Sequence, residues 1–133
     1  MTQLKKIAPF AAMAMGVVLA FTTSAFKQAH HPKGVDDTYT FEYAPPGGTD
    51  YSADAVQDLA NWHYNAAPAP CLGNTKACSI ELPGGMGYVD GEGTTNPTLD
   101  STFNITASEA DGVAKVTSTS ADEDGAVISN QAN

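Results

Sequence analysis

Residues 38–43 read TYTFEY, and they alternate strictly between polar and aromatic side chains. Tyr39, Phe41 and Tyr43 fall on one face of an extended chain, because successive side chains of a strand point to opposite sides. Aromatic and β-branched residues at this period predict a β-strand with one buried face. The run PPGG at residues 45–48 then ends the strand, since proline lacks an amide donor and glycine permits a sharp turn.

A short helix is predicted after this strand, over about residues 52–63. Asp50 or Ser52 can cap its N-terminus, because their side-chain oxygens accept hydrogen bonds from the first free amides. Four residues at helical spacing would form its apolar stripe: Val56, Leu59, Ala60 and His63.

Two weak β-hairpins are predicted in the second half of the chain. Residues 78–82 and 86–90 flank a Pro-Gly-Gly sequence, which is typical of a three-residue hairpin loop. Residues 102–107 alternate again, and residues 113–117 can return beside them. Residues 118–133 are polar and acidic, so we expect a disordered acidic C-terminal tail.

The chain has two cysteines, Cys71 and Cys78. In an exported protein the default prediction for such a pair is a disulfide bond. Closing a loop of this size contributes on the order of 2.5 kcal/mol to stability. A redox or metal-binding pair is the alternative, but redox pairs usually have C-x-x-C spacing and a structural zinc site needs four ligands.

The N-terminus has the layout of a secretory signal. Lys5 and Lys6 precede an uncharged apolar run at residues 7–21, and small residues follow up to Ala25. This order predicts cleavage between Ala25 and Phe26. The alternative is an uncleaved membrane anchor, although the apolar run is short of the ~20 residues that span a bilayer.

The composition excludes several classes of protein. The 133 residues include 6 lysines, no arginine and 15 acidic residues, for a net charge of −9. Such a charge disfavours nucleic-acid binding, because phosphates are neutralised by Lys and Arg. Removing residues 1–25 takes two lysines away and leaves 108 residues with a charge of −11. Leu, Ile, Val and Phe make up about 15 % of those, a share typical of chains that struggle to bury a core.

No catalytic or metal-binding motif stands out. The nucleophile-elbow, zinc-protease and phosphate-loop patterns are all missing, so we predict no enzyme, no catalytic residue and no cofactor. His30 and His31 are adjacent but lack a third ligand at useful spacing. The acidic segments at residues 90–93 and 122–125 do not fit a calcium loop. A weak metal- or calcium-binding module therefore stays an alternative, with no metal ligands assigned.

Trp62, with His63 and Tyr64 after it, forms the densest group of aromatic side chains near the cysteines. It is a candidate partner anchor, because exposed aromatic residues often dominate interfaces. The favoured alternative is a core residue that covers the cysteine loop. The partner is unknown from the sequence, with an envelope protein as the expected class; contact with a membrane is expected only through an uncleaved N-terminus.

Several features of the sequence together resemble those of a known group of proteins. They are the signal with Lys5 and Lys6, Trp62, the Pro-Cys loop from Cys71 closed by Cys78, and the short strand at Ile80. The arrangement resembles a family of short, uncharacterised, exported two-cysteine proteins of flavobacteria and related Bacteroidota. That resemblance implies export and a disulfide, and no activity. In that bacterial setting residues 100–102 (Asp-Ser-Thr) resemble a site of O-linked sugar addition. Residues 104–106 (Asn-Ile-Thr) fit an N-glycosylation pattern, which carries weight only in a eukaryotic secretory route.

The expected fold is a small, mostly irregular α+β arrangement with a signal helix, one short helix, two weak hairpins and one disulfide loop. Its expected organisation is a signal peptide (1–25), a flexible arm (26–37), a small disulfide-containing domain (38–117) and the acidic tail (118–133). The expected function is that of a non-enzymatic structural or interaction protein, exported to the periplasm, the cell surface or the medium. A membrane-tethered peptide is the main alternative.

Overall fold

A computed structural model describes residues 37–133, of which about 40 % lie in β-strands and 14 % in helical turns. The prediction of a mostly irregular α+β fold is therefore wrong, because the described chain is mostly β. The predicted signal peptide, its cleavage site at Ala25 and Phe26, and most of the predicted arm lie outside the described residues.

A four-stranded antiparallel sheet lies at the centre, in the order β2-β1-β3-β8. Its strands are β1 (Thr38–Tyr43), β2 (Trp62–Tyr64), β3 (Lys76–Pro83) and β8 (Val127–Gln131). Strand β1 confirms the prediction at residues 38–43. Its aromatic face is buried as the alternation requires, and Phe41 lies opposite Ile80 of β3.

The first predicted hairpin, at residues 78–90, is wrong in its pairing. Strand β3 is bordered by β1 on one side and β8 on the other, so it has no free edge for residues 86–90. Those residues contribute instead to β4 (Val89–Asp90), which pairs with β5 (Thr98–Leu99) in a separate two-stranded sheet.

The second predicted hairpin is present, with shifted ends. Strands β6 (Ile105–Ala110) and β7 (Val113–Thr119) pair antiparallel. The two connecting residues, Asp111 and Gly112, both have positive φ angles, at 55° and 76°. Asp-Gly is favoured in such a two-residue turn, because its backbone twist matches the twist of the flanking strands.

The C-terminal residues 118–133 are not a disordered tail. A 3-10 turn at Asp122–Asp124 leads into β8, where Ile128 lies opposite Ile80. The side-chain amide of Asn130 bridges to β7, accepting from the Val116 amide and donating to the Val116 carbonyl, both at 3.1 Å. This order comes from long-range pairing, which the local acidic composition does not reveal.

The predicted helix at residues 52–63 is also wrong in length. Helix α1 covers only Ala53–Gln57, with Ser52 as its cap; a 3-10 turn follows at Leu59–Asn61, and then β2 begins. Asn61 Nδ2 donates to the Ala55 carbonyl at 2.9 Å. That bond satisfies one of the carbonyls that the helix end leaves without an intrahelical partner.

The core combines seven aliphatic residues, five aromatic residues and three alanines. Counting only Leu, Ile, Val and Phe underestimates this core, because Tyr, Trp and Ala supply six of its fifteen members. The buried cluster contains Tyr39, Phe41, Tyr43, Val56, Trp62, Ala77, Ile80, Leu82, Val89, Leu99, Phe103, Ile105, Ala114, Val116 and Ala121.

Candidate functional site

Cys71 and Cys78 form a disulfide bond, as predicted, with their Cα atoms 6.0 Å apart. A β-bulge between Ala77 and Ser79 positions it. Ala77 and Ile80 are both fully buried, whereas the two residues between them reach Cys71: Cys78 through the disulfide, and Ser79 with its hydroxyl 3.2 Å from the Cys71 sulfur. The bulge thus turns two successive side chains away from the core and towards the loop.

The disulfide loop also holds the end of the chain. The Leu72 carbonyl accepts from the Ala132 amide at 2.8 Å, and the Thr75 amide donates to the Gln131 carbonyl at 2.9 Å. A side chain at Gly73 would place its Cβ 2.2 Å from the Ala132 amide nitrogen, and Gly73 has a φ of +130°. Glycine is therefore required where these two segments meet.

The proline-containing loop before Cys71 is hydrogen-bonded to the Glu42 side chain on β1. One carboxylate oxygen accepts from Asn65 Nδ2 at 2.7 Å, and the other accepts from the Ala69 amide at 2.8 Å. Strand β1, this loop and the disulfide therefore form one connected unit beside β2.

The structure places Trp62 in the core, with 3 % of its surface exposed. Its indole nitrogen donates to the Val56 carbonyl at 2.8 Å, and its ring lies 5.3 Å from that of Tyr43. A sequence signal for this placement exists, because Trp62 and Tyr64 are two residues apart, as the aromatic residues of the alternating stretch 38–43 are. The helical spacing of Val56, Leu59, Ala60 and His63 favoured a helix instead. The next residue along β2, His63, is exposed.

Two cavities lie between β2 and residues 93–101. One, of about 650 Å³, is lined by Gln57, Asp58, Leu59, Ala60, Trp62, His63, Thr98, Leu99 and Ser101. The other, of about 310 Å³, is lined by Asp37, Thr38, Tyr39, Tyr64, Gly93 and Thr94. We call the two together the β2 groove. No sequence pattern indicates this groove, because residues 91–99 have only the composition of a loop and no local signal brings them to β2.

Strand β2 is an edge strand within residues 37–133. Its central residue, His63, lies opposite Glu42 in the pairing with β1. The Ala44 amide donates to the Asn61 carbonyl, and the Asn65 amide donates to the Thr40 carbonyl. These bonds lie two residues to either side of the Glu42–His63 pair, so His63 directs its backbone towards β1, and Trp62 and Tyr64 direct theirs away.

Asp58, His63 and Ser101 all line the larger cavity. Among the described residues, however, no hydrogen bond connects them. Asp58 accepts from the Ala60 amide at 3.0 Å and so caps the 3-10 turn that follows α1. A hydrolytic triad needs the carboxylate to orient the histidine and the histidine to contact the nucleophile, and this arrangement provides neither contact.

The acidic segments have hydrogen-bonding roles of their own. The Tyr88 hydroxyl donates to Asp124, and this bond is the main cause of a raised Tyr88 pKa. Across residues 37–133, no group of three or more His, Cys, Asp or Glu side chains is arranged to hold a metal ion. His30 and His31 lie outside the described residues.

No helix within the described part is long and apolar enough to cross a membrane. No protein-family model, curated protein or solved structure matches the sequence.

Proposed function

We propose that this chain is an exported, non-enzymatic interaction protein of the periplasm or cell surface, and that it contacts its partner through the β2 groove. The observation that carries the proposal is the groove itself. It combines two cavities with an unpaired strand edge, and its polar groups are not connected in the manner of a catalytic set. Concave sites of this kind are the usual places for binding.

The disulfide supports export. Disulfides persist in oxidising compartments and are rare in the cytosol, where thiols are kept reduced. The Cys71–Cys78 bond closes a loop that also holds β8 in place, so its loss would affect the fold directly. The signal-like N-terminus is independent support from the sequence.

The walls of the groove are held in place, which favours a preformed binding site. On one side, α1 is capped by Ser52, and Trp62 is hydrogen-bonded to the end of that helix. On the other side, the Gly93 amide donates to the Tyr39 hydroxyl at 3.0 Å. A rigid site loses less conformational entropy when a partner binds.

Export is tested by fractionating cells that produce the full chain and measuring the intact mass of the recovered protein. We expect a mass without residues 1–25 and no free thiol before reduction. A membrane-bound protein that retains residues 1–25 would favour the tethered alternative, and a cytosolic protein with free thiols would contradict export.

Interaction is tested with a photo-crosslinking amino acid introduced at His63 or Ser101, both in the groove, and at Val127 as a control outside it. Val127 is 53 % exposed, so it is equally able to react. We expect protein adducts from the native envelope at the two groove positions only. Absence of adducts at all three positions would contradict an interaction role.

A further inference from the structure

We propose that the β2 groove binds an extended polypeptide segment rich in lysine or arginine, which adds to β2 as a further strand. This inference deepens the proposed function and depends on it. Two features of the groove carry it: the hydrogen-bonding groups along the edge of β2 and the charge at each end.

The edge of β2 offers backbone groups that another strand can use. The Trp62 amide is already occupied, since it donates to the Leu59 carbonyl. The Trp62 carbonyl and both backbone groups of Tyr64 point away from β1, and no hydrogen bond from another described residue reaches them. One donor and two acceptors therefore face the groove, which is the pattern that strand addition requires.

The cavities are placed where the side chains of an added strand would need space. Three residues of β2 extend over roughly 10 Å. The larger cavity lies beside Trp62 and His63, and the smaller one lies beside Tyr64. A strand paired with β2 would thus pass both cavities, and side chains from its alternate positions can enter them.

Charge determines which peptide fits. Residues 37–133 contain 14 Asp and Glu and only two lysines, for a net charge of −12. Each cavity has one exposed carboxylate, Asp58 in the larger and Asp37 in the smaller, and neither lysine lines the groove. Lys76 lies elsewhere, with its ammonium 4.9 Å from the centre of the Tyr51 ring. Cationic side chains are therefore attracted to both ends of the groove.

The peptide test uses the full chain recovered after export and a short peptide of alternating lysine and threonine. Its matched controls are an alternating glutamate-threonine peptide and the lysine peptide with N-methyl groups on the amides of one edge. We expect the lysine peptide to bind, the glutamate peptide not to bind, and N-methylation to weaken binding about tenfold by removing backbone hydrogen bonds. Equal binding of the methylated peptide would overturn strand addition.

The protein test uses Asp58→Asn, which keeps a capping oxygen for Ala60 and removes a charge. Asp111→Asn is its control, because it removes the same charge in the turn between β6 and β7. We expect binding of the lysine peptide to weaken about threefold with Asp58→Asn and to stay unchanged with Asp111→Asn. Equal effects of the two variants would mean that only net charge matters, and would overturn the assigned site.

Other outcomes would point away from a cationic peptide or away from the proposed function. A dimer that dissociates when the lysine peptide is added would show that a second copy uses the β2 edge, and would overturn the assignment to a cationic partner. Envelope adducts at His63 and Ser101 without peptide binding would leave the proposed function intact and overturn this inference alone. Peptide binding without envelope adducts would instead count against the proposed function.

Discussion

Carboxylates in this protein serve mainly as acceptors for backbone amides and hydroxyl groups. Eight of the 14 described acidic residues act in this way: Glu42, Asp50, Asp58, Glu92, Asp100, Glu109, Asp122 and Asp124. Some of these bonds join distant parts of the chain, as when Glu109 accepts from the Ala53 amide at the start of α1. The acidic composition therefore stabilises turns, and its effects depend on pH.

The Asp100 carboxylate predicts how the stability of the fold changes at acidic pH. Hydrogen bonds from Thr102, first from its side chain and then from its amide, lower the Asp100 pKa below its usual 3.8. The charged form is thus favoured by folding, and the resulting stability is present above pH 3.8 and is lost as the pH falls through the folded-state pKa. We expect Asp100→Asn to lower stability at neutral pH, with the difference from the wild type disappearing in strong acid. Denaturant unfolding across this range measures it, and a difference independent of pH would contradict the explanation.

Tyr43 provides an alkaline prediction. Burial, followed by the charge of Asp50, raises the Tyr43 pKa from 10.0 to about 12, and its hydroxyl donates to the Asp50 carbonyl at 2.6 Å. Folding favours the protonated form, so this contribution is complete below pH 10 and is lost as the pH rises towards 12. We expect the free energy of unfolding to fall over that range, and to fall less steeply in Tyr43→Phe. Equal slopes would show that other groups control alkaline unfolding.

Some backbone groups at strand edges have no neighbouring strand, and side chains or loop carbonyls form their hydrogen bonds instead. Strand β7 pairs with β6 on one edge only, and on its other edge the Ala114 amide donates to the Tyr51 carbonyl at 2.6 Å. Asn130 continues this edge by bonding both backbone groups of Val116. A side-chain amide thus takes the place of a neighbouring strand where β7 and β8 meet.

Asn130→Ala should lower the free energy of unfolding by about 2 kcal/mol, because it leaves two partly buried backbone groups without partners. Ser129→Ala on the same strand is the control and should have a much smaller effect. Thermal or urea unfolding gives both values. Equal losses from the two variants would show that Asn130 has no special role in joining the strands.

The disulfide gives a second prediction for the elements. Replacing Cys71 and Cys78 by serine opens the loop that holds the end of β8. We expect a loss on the order of 2.5 kcal/mol from loop closure, together with faster amide hydrogen exchange at Thr75 and Ala132, whose bonds link the two segments. Unchanged exchange at these amides would mean that β8 is held without the bridge.

The whole described domain combines a small core of aliphatic and aromatic residues with a large excess of negative charge. A net charge of −12 over residues 37–133 opposes compaction, because like charges repel one another more in the folded state. Salt shortens the range of this repulsion to about 8 Å at physiological ionic strength. Stability is therefore expected to depend on ionic strength as well as on packing.

Raising sodium chloride from low to physiological concentration should increase Tm. Calcium chloride at matched ionic strength should give the same Tm, since the described carboxylates are not grouped as a metal site. Differential scanning calorimetry makes the comparison. A clearly larger increase with calcium would contradict screening as the sole cause and would favour a calcium-binding role.

Local patterns were sufficient where neighbouring residues decide the structure. The alternation at residues 38–43 gave β1, the Asp-Gly turn at 111–112 matched the β6–β7 hairpin, and the two cysteines gave the disulfide. Each of these depends on side chains a few positions apart, or on a chemical pairing with only one available partner.

Pairing between distant segments decided everything else. Trp62 falls within the predicted helix, but it belongs to a strand because the next residue, His63, pairs with Glu42 of β1. The indole nitrogen of Trp62 then donates to the Val56 carbonyl near the end of α1. Strand β3 pairs with β8 across about 50 residues, which orders an acidic segment of little local propensity. The β2 groove exists only because residues 93–101 come to lie beside β2. Such contacts depend on the geometry of the folded chain, so the periodicity of neighbouring residues cannot predict them.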